Sequence, residues 1–248
     1  TSIAALDHAT LAPIWRTRPG GNGVPAIGRD LANFAVNSWK GLEDTASVTV
    51  HSGLVLAVTG TPAAGARTGD RRVHALDAAT GEVRWSVEVS WLDAKLAETS
   101  IRGPVLVEGD TAVVTARRPN GQNRTIGLYL VGLDVHTGEL RWVRHLGSIG
   151  SVTWQRQQSH PEGAVISRGV VYRTDEMGIV AAVEVATGRP RWGRLVASGR
   201  NAEGTFSGPE LPPPYELRAP IVDGDSLITI DPSSGAITRM STSTGAVI

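Results

Sequence analysis

The 248-residue sequence predicts an all-β chain of four-stranded antiparallel blades, a β-propeller, and three observations carry that prediction. First, an eleven-residue phrase returns four times: Ala75-Leu76-Asp77-Ala78-Ala79-Thr80-Gly81-Glu82-Val83-Arg84-Trp85, Gly132 to Trp142, Ala182 to Trp192, and a degraded copy from Ala5 to Trp15. An acid (Asp7, Asp77, Asp134, Glu184) precedes a Trp (Trp15, Trp85, Trp142, Trp192) by eight residues, and Gly81, Gly138 and Gly188 stand four after the acid. Second, a hairpin pattern lies upstream of each later phrase. Third, the helical stretches that an α/β sheet would place between strands are largely missing.

Each phrase reads as strand, tight turn, strand. Val73, Ala75 and Leu76 form an apolar approach to the acid. Asp-x-x-Thr-Gly is turn chemistry, because an Asp carboxylate accepts from backbone N–H groups two residues on and Gly takes a positive φ without a Cβ clash. A Trp closing the second strand is too large to leave exposed at every repeat, so it is expected against the neighbouring unit. The upstream hairpins turn at His51-Ser52-Gly53, Glu108-Gly109-Asp110, Ser167-Arg168-Gly169 and Asp223-Gly224-Asp225. In order, residues 1–15 supply the last hairpin of a blade, 16–47 a long inter-blade loop, 48–89, 104–146 and 164–196 complete blades, and 219–248 a truncated one. That is an incomplete ring of about four to five blades.

The stretch from Gly169 to Trp192 resembles the repeat of the pyrroloquinoline quinone (PQQ)-type propeller superfamily, through its Ala-x-Asp-x-x-x-Gly-x-x-x-Trp core. The resemblance covers about residues 48–248, with a trace at 1–15. It implies that Asp77, Gly81, Trp85, Asp134, Gly138, Trp142, Glu184, Gly188 and Trp192 are structural docking residues, each Trp stacking on the adjacent blade. The family holds quinoprotein alcohol dehydrogenases, an outer-membrane assembly scaffold and many other bacterial repeat proteins, so the repeat argues for a fold and not for an activity. Two departures stand out. Leu11 occupies the place of Gly81 in the first copy, which predicts an altered turn, and Ser241 replaces the acid in the fifth copy, which is cut off at Ile248. PQQ-type propellers have more blades than this, so a remaining propeller segment is an expected partner.

Composition excludes more than it selects. With 24 basic and 24 acidic residues, no general attraction to nucleic acid is expected. Cysteine is absent, so no disulfide or thiolate metal site exists. No apolar run is long enough for a membrane span, and the family resemblance implies a periplasmic or extracellular place in a larger exported bacterial protein.

Strands alternate in direction, so the tight turns gather on one face of the disc and the long connections on the other. Those connections are 16–46, 59–72, 90–103, 117–126, 144–162 and 194–218. Variable loops on a rigid scaffold are where binding resides. The candidate binding residues on that face are Arg29, Asp30, Trp39, Trp91, Trp154, Arg156, His160 and Tyr215. Trp91 to Ser100 is expected to form a short helix. Gly20 to Gly23 is no phosphate loop, since neither a Lys-Ser/Thr ending nor a helix start follows. Asp223-Gly224-Asp225 brings two carboxylates where calcium needs six to eight oxygens, so no metal site is expected. No catalytic residue is assigned and no cofactor is expected.

The reading is a non-catalytic module binding a protein, or a glycan, through the long-loop face. The alternatives are a PQQ-dependent dehydrogenase domain, with PQQ and calcium as its cofactors, and a structural arc completing a multi-chain propeller. For the dehydrogenase, the family's vicinal cysteine pair is missing and no Glu, Asn and Asp set matches residue by residue.

Overall fold

Alternating apolar residues bounded by Gly-containing turns fold the described residues into seventeen strands arranged as five antiparallel sheets. The computed structural model describes residues 2–19, 48–59, 72–120, 125–150, 163–175, 178–196, 219–230 and 236–248. Blade 1 contributes β1 (Ile3–Leu6) and β2 (Pro13–Thr17). Blade 2 is β3 (Val48–His51), β4 (Leu54–Thr59), β5 (Arg72–Asp77) and β6 (Val83–Val87). Blade 3 is β7 (Ser100–Glu108), β8 (Thr111–Asn120), β9 (Thr125–Asp134) and β10 (Leu140–Gly150). Blade 4 is β11 (Gly163–Ser167), β12 (Val170–Thr174), β13 (Ile179–Glu184) and β14 (Pro190–Leu195). Blade 5 shows β15 (Ile221–Asp223), β16 (Ser226–Ile230) and β17 (Ile237–Ser241). Strands pair in chain order within each sheet, and the first strands β3, β7, β11 and β15 adjoin one another along the inner edge. The architecture is an incomplete β-propeller.

Four apolar cores lie between consecutive blades, because a β-strand sends alternate side chains to opposite faces and both faces of an inner blade are covered. Ile3 and Trp15 meet Val55, Ala57 and Leu76 between blades 1 and 2. Leu56, Val58, Val73 and Ala75 meet Ala112, Val114, Val131 and Leu133 between blades 2 and 3. Val113 and Leu130 meet Val171 and Val183 next, and Tyr172 and Ala182 meet Leu227 and Met240 last.

The turn of the phrase is built the same way five times. The N–H at the acid position donates to the carbonyl five residues on (Asp7 to Ala12, Asp77 to Glu82, Asp134 to Glu139, Glu184 to Arg189, Ser241 to Ala246), and its own carbonyl accepts from the N–H four residues on. One carboxylate oxygen of Asp77 accepts from Ala79 N and Thr80 N, both at 2.9 Å, and Asp134 does the same with His136 N and Thr137 N. Glu184, one methylene longer, accepts instead from the Thr187 hydroxyl at 3.0 Å. The Thr hydroxyl in turn accepts from the N–H two residues on, as in Thr80 to Glu82 at 3.2 Å.

The altered first turn predicted from Leu11 is not found. Its φ is 58°, beside 73°, 75°, 67° and 69° at Gly81, Gly138, Gly188 and Gly245, and its N–H bonds the Asp7 carbonyl as theirs bond the matching acid positions. The turn's hydrogen bonds hold a leucine in the left-handed region at a cost of about 1–2 kcal/mol. Two other expectations are corrected. Trp91 to Ser100 forms no α-helix: 3-10 turns cover Val89–Trp91 and Ala94–Leu96, and Ser100 already begins β7. The loop expected over 117–126 is mostly strand, with β8 and β9 paired out to Asn120 and Thr125.

Pairing slips by one residue before each Trp, leaving Ile14, Arg84, Arg141 and Arg191 outside the ladder. This bulge aims the arginine at the acid: Arg84 Nη2 donates to Asp77 Oδ2 at 2.7 Å, Arg141 Nη2 to Asp134 Oδ2 at 2.6 Å, and Arg191 Nε lies 3.5 Å from Glu184 Oε1. The Arg84 and Arg141 guanidiniums, with the turn N–H groups, hold the Asp77 and Asp134 carboxyls down at about 2.

The Trp then crosses to the next blade. Trp15, Trp85, Trp142 and Trp192 donate Nε1–H to the carbonyls of Ala78, Val135, Val185 and Thr242, at 2.9, 3.0, 2.8 and 2.8 Å. Every acceptor is the residue after the acid position. Each indole face lies on the receiving turn's glycine, where an added Cβ would come within 2.5 Å of Trp15 at Gly81, 2.7 Å of Trp85 at Gly138, 2.5 Å of Trp142 at Gly188 and 2.6 Å of Trp192 at Gly245. On its own sheet each Trp pairs with a small residue, Ala5, Ala75, Gly132 or Ala182.

Trp142, only 9% exposed, is the best covered of these indoles. Trp142→Ala is expected to cost about 3–5 kcal/mol in urea unfolding. Gly188→Ala, which obstructs the same indole from the receiving side, should cost about 1–3 kcal/mol. His74 gives a pH signature. It is buried between blades 1 and 2, with Thr59 Oγ1 at 2.8 Å from Nε2 and, among the described residues, no partner for Nδ1. Burial first, and the Arg72 charge second, push it down to about 4 from 6.5. Between those values the unfolded chain holds a proton that the folded chain lacks, so stability falls as pH drops from 6.5 toward 4, by up to roughly 3 kcal/mol. Chemical unfolding at a series of pH values should show that slope, and His74→Leu should flatten it.

Candidate binding surface

The turns of the first hairpins, at residues 51–53, 108–110, 167–169 and 223–225, share one face of the disc with the phrase turns. Their polar groups bond within and between blades. Glu108 Oε1 accepts from Gly169 N at 3.0 Å, the Arg168 guanidinium meets Asp225 at 3.4 Å, and His136 Nε2 lies 3.5 Å from Asp110. Asp223-Gly224-Asp225 is the β15–β16 turn. Among the described residues no three His, Asp or Glu side chains gather as a metal cage.

The opposite face carries the 2–3 turns and the inter-blade links, and there one sequence-selected residue is described. Trp91 closes the first 3-10 turn and is 76% exposed. Its position is fixed from below: Val89 and Leu96 are buried in the core between blades 2 and 3. The Arg72 guanidinium lies 5.5 Å from the indole centroid and pairs with Glu88 at 3.3 Å, while Glu88 also accepts from Ser90 Oγ at 3.0 Å. Asp93 accepts from Lys95 N at 2.7 Å and sets the second turn. One indole face is therefore backed by a held cation and the rest faces solvent, which makes a rigid aromatic platform. Arg29, Asp30, Trp39, Trp154, Arg156, His160 and Tyr215 lie outside the described residues.

Sequence reasoning passed over a charged group at the long-loop end of the joint between blades 3 and 4. Arg117, Arg173 and Asp175 are buried there, with Arg173 Nη1 donating to Tyr129 O at 3.0 Å and Asp175 Oδ1 accepting from Ile179 N at 3.0 Å. Burial, then the neighbouring Arg117 charge, pushes Arg173 down to about 9 against the opposing pull of Asp175. The signal was present in Val170-Val171-Tyr172-Arg173-Thr174-Asp175, where a cationic side chain interrupts an otherwise apolar strand. The chain has no cysteine and so lacks a vicinal cysteine pair. No helix of the described residues is long and apolar enough to cross a membrane.

A family profile described as outer membrane protein assembly factor BamB matches residues 1–248. Among solved structures, the chain is similar to the quinohemoprotein alcohol dehydrogenase of Comamonas testosteroni, at 15% identity and TM-score 0.60, covering 100% of this chain and 39% of that one. It is similar to a europium-containing methanol dehydrogenase at 17% identity and TM-score 0.59, covering 99% and 46%. BamB from Moraxella catarrhalis aligns at 18% identity and TM-score 0.45, covering 95% and 63%. The chain thus spans less than two thirds of the length of these structures, and at such identities the likeness shows the fold alone. No curated protein sequence matches the chain. Through the profile that spans all its residues and the repeats that build its blades, the chain belongs to the outer membrane protein assembly factor BamB family of PQQ-like β-propeller repeat proteins.

Proposed function

We propose that this chain is a non-catalytic scaffold module that binds a protein partner through its long-loop face, within a larger exported bacterial protein acting in the periplasm or at the cell surface. The observation that supports this reading is the division of labour between the two faces. On the tight-turn face, the phrase turns and the first-hairpin turns carry internal and inter-blade bonds. The other face presents the exposed, pre-positioned Trp91. Rigid exposed aromatics are the usual anchors of protein interfaces. Family membership points the same way, toward assembly of outer-membrane proteins, and a glycan is the second class of ligand that the Trp91 platform suits.

Trp91→Ala should leave the melting temperature unchanged and weaken partner binding on the order of tenfold or more. Deleting 151–162 and 201–215 together should abolish binding, measured by co-purification with the partner and then by titration. Full retention of the partner by the double deletion would count heavily against the reading. The dehydrogenase alternative has fold likeness in its favour and is separated by titrating PQQ with calcium. Under the scaffold reading no saturable quenching of Trp fluorescence is seen into the high micromolar range, whereas a dehydrogenase domain quenches with saturation.

A further inference from the structure

The five phrase turns can be compared position by position, and one differs in a way that bears on how the propeller is joined. Gly81, Gly138, Gly188 and Gly245 each lie under the indole of the preceding blade. A side chain there would collide with the ring, as the 2.5–2.7 Å approaches to a built Cβ require. The blade 1 turn has the same left-handed φ and the same hydrogen bonds, yet it carries Leu11. An indole therefore cannot seat on the blade 1 turn as it does on the others.

The rest of that face is nevertheless made for burial against a sheet. Leu6 precedes the acid position, as do Leu76, Leu133, Val183 and Met240 in the other blades. Those four have 0% exposure and each lies in an inter-blade core. Leu6 is 54% exposed, and Leu11 and Ile14 stand beside it at 70% and 62%. Ile14 also stands at the looped-out position that carries an acid-paired arginine in blades 2, 3 and 4, so this hairpin has an aliphatic side chain where the others have a charged one.

We propose that the outward face of the first hairpin is a joint of the propeller made without tryptophan: it takes the face of a propeller sheet from beyond residues 1–248 whose outer strand brings no indole, and Leu11 fills the socket itself. The inference is independent of the binding role proposed above. It identifies the occupant by its chemistry, an aliphatic sheet face, and by its source, the further sheets that fit a chain covering 39% and 46% of the matched propellers.

The test is a photo-crosslinking amino acid at Leu6, introduced into the polypeptide as its own cell produces it, with the adduct mapped by mass spectrometry. The expected adduct lies in a propeller sheet outside these 248 residues that has no Trp at the socket position. An adduct on a Trp-bearing blade, on residues 219–248, on a second copy of this stretch, or none at all would overturn the proposal. Thermal melts of Leu11 variants in the same polypeptide give an independent reading. Leu11→Gly and Leu11→Ala should both lower the melting temperature if Leu11 is covered by a neighbour. If the face is bare, Leu11→Gly raises it by relieving the left-handed strain and Leu11→Ala leaves it unchanged, which would also overturn the proposal.

Discussion

Each blade is tied to the next by one indole N–H, donated to the carbonyl that follows the acid of the next phrase. That bond constrains much of the surrounding sequence. For the carbonyl to point outward, the turn must keep its fixed set of backbone bonds, which the acid and the Thr hydroxyl hold in place. For the ring to reach the turn, the turn residue must lack a side chain, and the residue opposite the Trp on its own sheet must be small. A residue must also be looped out before the Trp to aim it, and the looped-out arginine becomes a tether for the acid. The phrase is therefore the imprint of one inter-blade contact and of the turn that receives it.

This arrangement also decides where the chain is free to vary. Two residues beyond the Trp, Thr17 and Arg144 bond the carbonyls of Gly81 and Gly188, so the joint extends along the fourth strand as well. Near the axis Thr49 reaches Val105 across to the next blade. The turn-bearing face is thus engaged in holding the arc together. On the opposite face the described segment from Val89 to Leu96 combines an anchor in the blade 2–3 core with an exposed side chain. Two buried aliphatic residues anchor it, an ion pair fixes its base, and a tryptophan is left standing in solvent. A free chain would collapse such an indole onto apolar surface; here the backbone geometry of two 3-10 turns and the stacked Arg72 keep it out.

Fold class was legible because the phrase period, the turn residues and the strand alternation all agree, and the five antiparallel sheets bear that pattern out. Three features escaped the sequence, each for its own reason. The Arg-Trp dipeptides at 84–85, 141–142 and 191–192 were visible, but their meaning depends on a bulge, and a strand's register does not announce a looped-out residue. The Leu11 turn was misjudged because a residue preference was taken for a requirement: glycine is needed at that position chiefly where an indole covers it, while the turn's own bonds suffice to hold leucine at positive φ. The buried Arg117, Arg173 and Asp175 group was hidden because it forms only when two strands from adjacent blades bring their loop-side ends together. Of the candidate binding residues, Trp91 is the one among the described residues.

The Leu11 socket also bears on how a repeat protein keeps its blades in order. Identical donors and identical sockets at every joint would let any blade follow any other, and an arc of this kind would then be open to additions from other copies. Specificity requires that some joint refuse the general partner. Leu11 does so at the expense of a strained backbone, without altering a single backbone hydrogen bond of the turn around it. A substitution that disturbs the turn would have weakened blade 1 itself, whereas a side chain that occupies the socket changes only what can dock there. An economical position for such a marker is the turn residue on which the neighbour's indole would seat and whose backbone the turn's own bonds already fix, and in this fold that residue is the fourth after the acid.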